Sequence, residues 1–116
     1  MSNLGVFKNA IKKNVGTGAS STIYTAPAGD SYVIECDIAC TGNTGVQISV
    51  SVVDSSANVE AYLVKKAPVP IGSSIQVIDG QKIVLEQGDS IKVTCDTAGE
   101  TVDVVMSVVE NVNFGA

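Results

Sequence analysis

Residues 29–39 read GDSYVIECDIA and residues 88–98 read GDSIKVTCDTA. Gly-Asp-Ser, then Cys-Asp, then Ala recur at one spacing, with Gly29 carried onto Gly88. Such a pair is either duplicated chemistry, a nucleophile with its acid or two metal sites, or one structural device used twice. The flanking pattern favours the device. A strand sends successive side chains to opposite faces, and in residues 31–40 one parity reads Tyr32, Ile34, Cys36, Ile38, Cys40 against Val33, Glu35, Asp37, Ala39 on the other. In the second block Ile91, Val93 and Cys95 alternate with Lys92, Thr94 and Asp96. Gly supplies turn conformations and Asp or Ser can bond nearby amides, so Gly-Asp-Ser reads as the turn that leads into a core strand.

The pattern continues outward from both blocks. After the loop TGNTG, Val46, Ile48, Val50 and Val52 alternate with Gln47, Ser49, Ser51 and Val53. After TAGE, Val102, Val104, Met106 and Val108 alternate with Asp103, Val105, Ser107 and Val109. Each half therefore reads as a β-hairpin, and the repeat as one hairpin used twice. Between them lie an extended run at 59–66, the stretch APVPIG, a strand at 74–78, a DGQ turn and a strand at 82–86. Pro68 and Pro70 cannot donate to a ladder, which places this stretch at an edge or on a crossing between sheets. Residues 21–26 read as a strand closed by the turn Pro27-Ala28-Gly29. The first fifteen residues fit a helix turn or a strand. Seven to nine short strands predict an all-β, single-domain antiparallel β-sandwich, jelly-roll or immunoglobulin-like, with two similar hairpins. Residues 1–19 are expected as an N-terminal arm and residues 20–116 as the sandwich.

Composition bounds the function. The chain has 116 residues, 45% apolar and 16% charged, enough for one self-sufficient core. All seven cations are lysines, and the sequence pI is about 4.4. Without arginine forks a nucleic-acid surface is not expected. Lys8, Lys12 and Lys13 nevertheless give the first fifteen residues a basic character against an acidic body. No apolar run approaches the ~18 residues of a membrane span, and MSNLGVFKNAIKKN lacks the continuous apolar core of a signal peptide. No membrane partner and folding in the cytosol are the expectation.

The cysteines share the parity of inward Ile and Val, where free thiols commonly reside. Cys36 and Cys40 lie ~13 Å apart on a straight strand, beyond disulfide reach. Reduced thiols are expected. With no histidine, a cysteine-hydrolase site lacks its usual base. The three cysteines lack the paired knuckles of structural zinc sites, and no acidic loop has calcium-ligand spacing. No catalytic, cofactor-binding or metal residue is assigned, and no enzyme or cofactor is expected. A carboxylate pair of the glycosidase kind lacks the aromatic sugar platforms that accompany it, since the chain has no tryptophan.

Residues that break the alternation point to contacts instead. Val53, Val105 and Val109 fall on the outward parity, and Tyr62, Leu63 and Val64 are consecutive. Either a second layer of the same domain or a neighbouring subunit covers them. The mean hydropathy of +0.30 favours subunit packing. Phe7, Ile11, Lys12 and Lys13 join Val53, Leu63, Val105 and Val109 as the candidate contact set, the arm docking through Phe7 and Ile11.

Three segments carry a family resemblance: IYTAPAGDSYVIECDIACTGNTGVQISVSVVD, YLVKKAPVPIGSSIQVIDGQKIVLEQGDSIKVTC and VDVVMSVVE. Their order of a YTxPAG turn, a PVPxGSS crossing and an LxxGDxIxV block resembles small all-β virion proteins of tailed bacteriophages, the head decoration, head-fibre or tail accessory subunits. The resemblance covers residues 23–110. It implies a non-enzymatic homo-oligomer, a trimer being one option, that adds to the major capsid protein or another virion component and brings no catalytic residues. The expected location is the virion. The alternative is a receptor- or glycan-binding fibre module using loops 41–45 and 55–58.

Overall fold

In a computed structural model, which describes residues 4–17 and 21–112, the chain forms eight strands. They are β1 (Leu4–Val15), β2 (Ser21–Thr25), β3 (Asp30–Cys40), β4 (Val46–Asp54), β5 (Val59–Val69), β6 (Ser74–Leu85), β7 (Ser90–Cys95) and β8 (Val102–Val112). One antiparallel sheet, A, has the order β1-β8-β3-β6, and the other, B, the order β2-β7-β4-β5. Two four-stranded sheets in this order make the jelly-roll form of the sandwich.

The two halves of the repeat are not hairpins. β3 and β4 lie in different sheets, as do β7 and β8. Each half is an arch, its loop crossing from one layer to the other. Alternation reports which face of a strand is buried, and a hairpin and an arch give the same alternation. The ladders are instead non-local: β3 pairs with β8, Cys36 opposite Met106, and β4 pairs with β7, Val50 opposite Val93. The arches thus clasp each other. The strand order repeats too. Advancing every strand by four places, with β1 following β8, converts the order of sheet A into that of sheet B. The sequence repeat is the visible part of this pseudo-twofold relation.

The arch loops are fastened at one end of the sandwich. Asp96 N–H donates to Gln47 O at 2.7 Å, Gln47 N–H to Thr97 Oγ1 at 2.9 Å, and Ser49 Oγ to Asp96 Oδ2 at 2.6 Å. At the other end the Gly-Asp turns do what the sequence suggests. Gly29 and Gly88 have φ of 88° and 89°, a region that costs other residues strain. Asp89 is buried, and its carboxylate accepts Ser55 N–H at 3.1 Å and Glu86 N–H at 3.0 Å.

The interior is aliphatic. Ile38, Ile48, Ile78, Leu85, Ile91 and Met106 are fully buried, with valines from β3, β4, β7 and β8 between them. Each such side chain contributes roughly 1.5–3 kcal/mol relative to exposure. Cys36, Cys40 and Cys95 are buried and free, as their parity predicted. One stretch departs from that parity. In β3 the inward residues are Ser31 and Val33, then Cys36, Ile38 and Cys40, while Tyr32 and Ile34 are only partly buried. Both ladders of β3 slip between Val33 and Glu35, and against β8 Ile34 is the extra residue of a β-bulge that resets the alternation. Residues 80–82 loop out opposite it, Gly80 and Lys82 having φ of 84° and 47°. The predicted DGQ turn is therefore a bulge inside one strand, β6. Pro68 lies in the edge strand β5 and Pro70 follows it on the crossing to β6, as their missing donors require.

The N-terminal segment is corrected as well. Most of the predicted arm is β1, paired with β8 from Leu4 opposite Val112 to Val15 opposite Val102. Val15 is buried and Ala10 packs against the core, so the segment belongs to the sandwich. Residues 1–3 and 18–19 of that arm lie outside the described residues.

Candidate interaction surface

The outward side of sheet A is built in cross-strand rows. Phe7 of β1 lies opposite Val109 of β8, Val109 opposite Tyr32 of β3, and Tyr32 opposite Val84 of β6. With strands ~4.8 Å apart, this apolar row runs about 15 Å across all four strands. The next row is polar: Asn9, Ser107, Glu35 and Asp79. A third places Ile11 opposite Val105, and Val105 opposite Asp37. Phe7 is 77% exposed, Ile11 65%, Val84 55% and Val105 46%. A depression of about 370 Å³ lies beside the apolar row, lined by Phe7, Lys8, Asn9, Ile34 and Ser107.

Four of the eight candidate contact residues, Phe7, Ile11, Val105 and Val109, therefore share this face as two directly opposed pairs. Lys12 lies opposite Val104, on the other parity of β1, and Lys13 falls where the β1 register slips; both are exposed. Val53 and Leu63 belong to sheet B. Val53 is half-buried between Glu60 and Ser90, and Leu63 packs against the core. They do not extend the surface. Tyr32 and Val84 do, and sequence reading missed both, because the bulge at Ile34 turns Tyr32 outward against the simple parity.

Acidic groups flank the row. The Glu35 carboxyl is raised above its ordinary range, first by a hydrogen bond with Asp37, then by the charges of Asp37 and Asp79. The Lys82 ammonium stands 6.0 Å from the Tyr32 ring centre. Among the described residues no group of three or more His, Cys, Asp or Glu is placed to hold a metal ion.

Two of the three thiols are held in the protonated form. Burial, reinforced by the charge of Asp37, pushes Cys36 up to about 12, and burial also raises Cys95. A thiol so placed stays protonated and unreactive at neutral pH.

A second depression, also of about 370 Å³, lies where β1 and β8 meet the turn before β3 and is lined by Val6, Lys8, Pro27, Ala28, Glu110 and Asn111. Its polar groups are tied to one another. Lys8 Nζ is 3.3 Å from Glu110 Oε1, Tyr24 donates its hydroxyl hydrogen to Glu110 Oε2 at 2.5 Å, and Ser31 Oγ is 3.3 Å from the same hydroxyl. Burial, then the Glu110 hydrogen bond, pushes Tyr24 up to about 12. This cluster holds the sheets together and presents a neutral phenol.

Fold and surface thus define a jelly-roll domain whose distinctive feature is an apolar row across the outward side of sheet A. The chain is similar in structure to a solved protein of Bacillus endospore appendages, which form a family of disulfide-linked pili, at TM-score 0.60 and 16% identity over 93% of this chain and 88% of that one. At that identity the likeness shows a shared fold. An infectious bursal disease virus structure overlaps with TM-score 0.39 and 9% identity over 98% of this chain and 39% of that one, too low to indicate kinship of fold or function. No protein-family model and no curated protein sequence matches the chain.

Proposed function

We propose that this protein is a non-enzymatic structural subunit that packs through the outward face of sheet A onto copies of itself and other components of an assembled particle. The observation that carries this is the Phe7-Val109-Tyr32-Val84 row. An uninterrupted apolar line across a whole sheet, flanked by charge, suits a protein interface with an apolar centre and a polar rim. The tailed-phage virion is the setting supplied by the sequence resemblance, where a small sandwich present in many copies can bind each lattice site weakly and gain from its neighbours. The fold neighbour that forms pili illustrates the same architecture in a polymer, although fold alone assigns no function. Loops 41–45 and 55–58 carry no aromatic ring to stack on a sugar, which disfavours the glycan reading.

Sedimentation velocity at micromolar concentration tests the proposal. The protein should sediment as an oligomer, or bind particles lacking this subunit. A Phe7→Ser, Val84→Asp variant should lose that behaviour with an unchanged circular-dichroism spectrum. A monomer that ignores such particles, or a variant that assembles as the parent does, would overturn it.

A further inference from the structure

Three of the four sheet edges are spoiled for pairing. β2 has five residues and a register shift between Thr22 and Tyr24. β5 has Lys66 at φ 55° and Pro68 with no N–H to donate. β6 is looped out at residues 80–82. β1 differs: from Val6 to Lys12 its register with β8 is unbroken, and its other side meets no strand among the described residues. A regular edge of unpaired N–H and C=O groups is a template for another strand.

The side chains on this edge select the occupant. We infer that two copies of the chain pair through β1, antiparallel, with Asn9 on the twofold axis. In that register Phe7 faces Ile11 of the second copy, Lys8 faces Ala10, Val6 faces Lys12, and Asn9 faces itself. An aromatic opposite a β-branched residue is a favourable cross-strand pair, and no lysine opposes a lysine. Other registers fail. An axis on Lys8 sets that residue against itself, and an axis on Ala10 opposes Lys8 to Lys12 twice. An axis on Phe7 or Ile11 avoids this but runs the ladder into Gly5 or Asn14, at φ 76° and 60°. Lysines commonly guard an open edge; here they leave one arrangement that keeps their charges apart and centres the ladder on the regular stretch from Val6 to Lys12. That arrangement also continues the outward face, since the row begun by Phe7 passes into Ile11 and Val105 of the second copy. The inference rests on reading the chain as a self-assembling subunit and specifies how two copies meet.

Asn9 is exposed and lies on the axis, so one substitution there acts against itself. In the full chain, Asn9→Cys should give a disulfide-linked dimer on mild oxidation, because opposed residues of an antiparallel pair have Cα atoms ~4.5–5.5 Å apart, within disulfide range. Gln81→Cys, on the β6 edge, should not. Asn9→Asp and Asn9→Lys should each weaken dimerisation several-fold, and an equimolar mixture of the two should restore it. Assembly that persists without the Asn9→Cys crosslink and without rescue in the mixture overturns the β1 pairing and leaves the self-assembly reading standing. A monomer in every assay overturns both.

Discussion

Tyr24 of β2 and Glu110 of β8 share a hydrogen bond of 2.5 Å that joins one sheet of the sandwich to the other. Lys8 of β1 holds the other oxygen of the same carboxylate. Because burial and the bond favour the neutral phenol, its pKa rises from an ordinary 10 to about 12. The folded state therefore keeps a proton that the unfolded chain gives up above pH 10. The stabilisation is fully present below that value and is lost as pH climbs towards 12. Urea unfolding at stepped pH should show this loss. The same series on Tyr24→Phe should be less stable at pH 8, by about 1 kcal/mol, and should fall less steeply above pH 10. Parallel slopes for the two proteins would remove Tyr24 as the source.

Asp89 and Asp30 occupy equivalent places in the repeat with unequal surroundings. Asp89 is buried and takes N–H groups from Ser55 and Glu86, tying the start of β7 to the loop after β4. Asp30 is half-buried at the start of β3. Asp89→Ala should cost ~1–3 kcal/mol, since two part-buried amides lose their carboxylate acceptor, and Asp30→Ala under ~1 kcal/mol. Equal losses in chemical denaturation would mean that both aspartates contribute alike to holding their strands.

The preceding glycines give a matched pair. Gly29 and Gly88 have nearly the same φ, so alanine strains the backbone equally at both. A Cβ on Gly88 would approach Ser55 Oγ to 2.7 Å, whereas on Gly29 the nearest atom is Asn111 Oδ1 at 3.4 Å. Gly29→Ala should lower stability by about 1–2 kcal/mol. Gly88→Ala should lower it further, because the Ser55 hydroxyl must swing aside and give up its 3.4 Å bond to Asp89. Thermal melts of the two variants decide the order.

The thiols should be silent in the folded protein. All three are buried, and Cys36 titrates only near 12. A thiol reagent at pH 8 should label none of them within minutes under native conditions and all of them in denaturant. Because the Cys36 thiol also holds its proton above the ordinary range, it adds to the loss of stability above pH 9. Rapid native labelling at any of the three would contradict the closed interior.

Much of this architecture is legible in residue order because the relevant forces are local. The buried parity of β7, β8 and most of β4 follows from alternation, and Gly-Asp-Ser reads as the start of a strand because positive φ and side-chain capping are properties of a few consecutive residues. The outward assignment of Val105 and Val109 holds for the same reason. The bulge at Ile34 escapes such a reading. It is one residue of slack demanded by the ladder with β8, some seventy positions away, and it alone decides that Tyr32 faces solvent and Val33 the core.

By itself, then, the order of residues determined the all-β class of the fold, the inward parity of most core strands and the burial of the three cysteines. Tertiary structure decided who pairs with whom: that each half of the repeat is an arch, that Leu4–Val15 is a strand of sheet A, and that Phe7, Val109, Tyr32 and Val84 stand in one line. The physical reason is that hydrophobic burial acts on each strand's own pattern, whereas a backbone hydrogen bond has almost no sequence preference. Its partner is chosen only when both layers close over a common core.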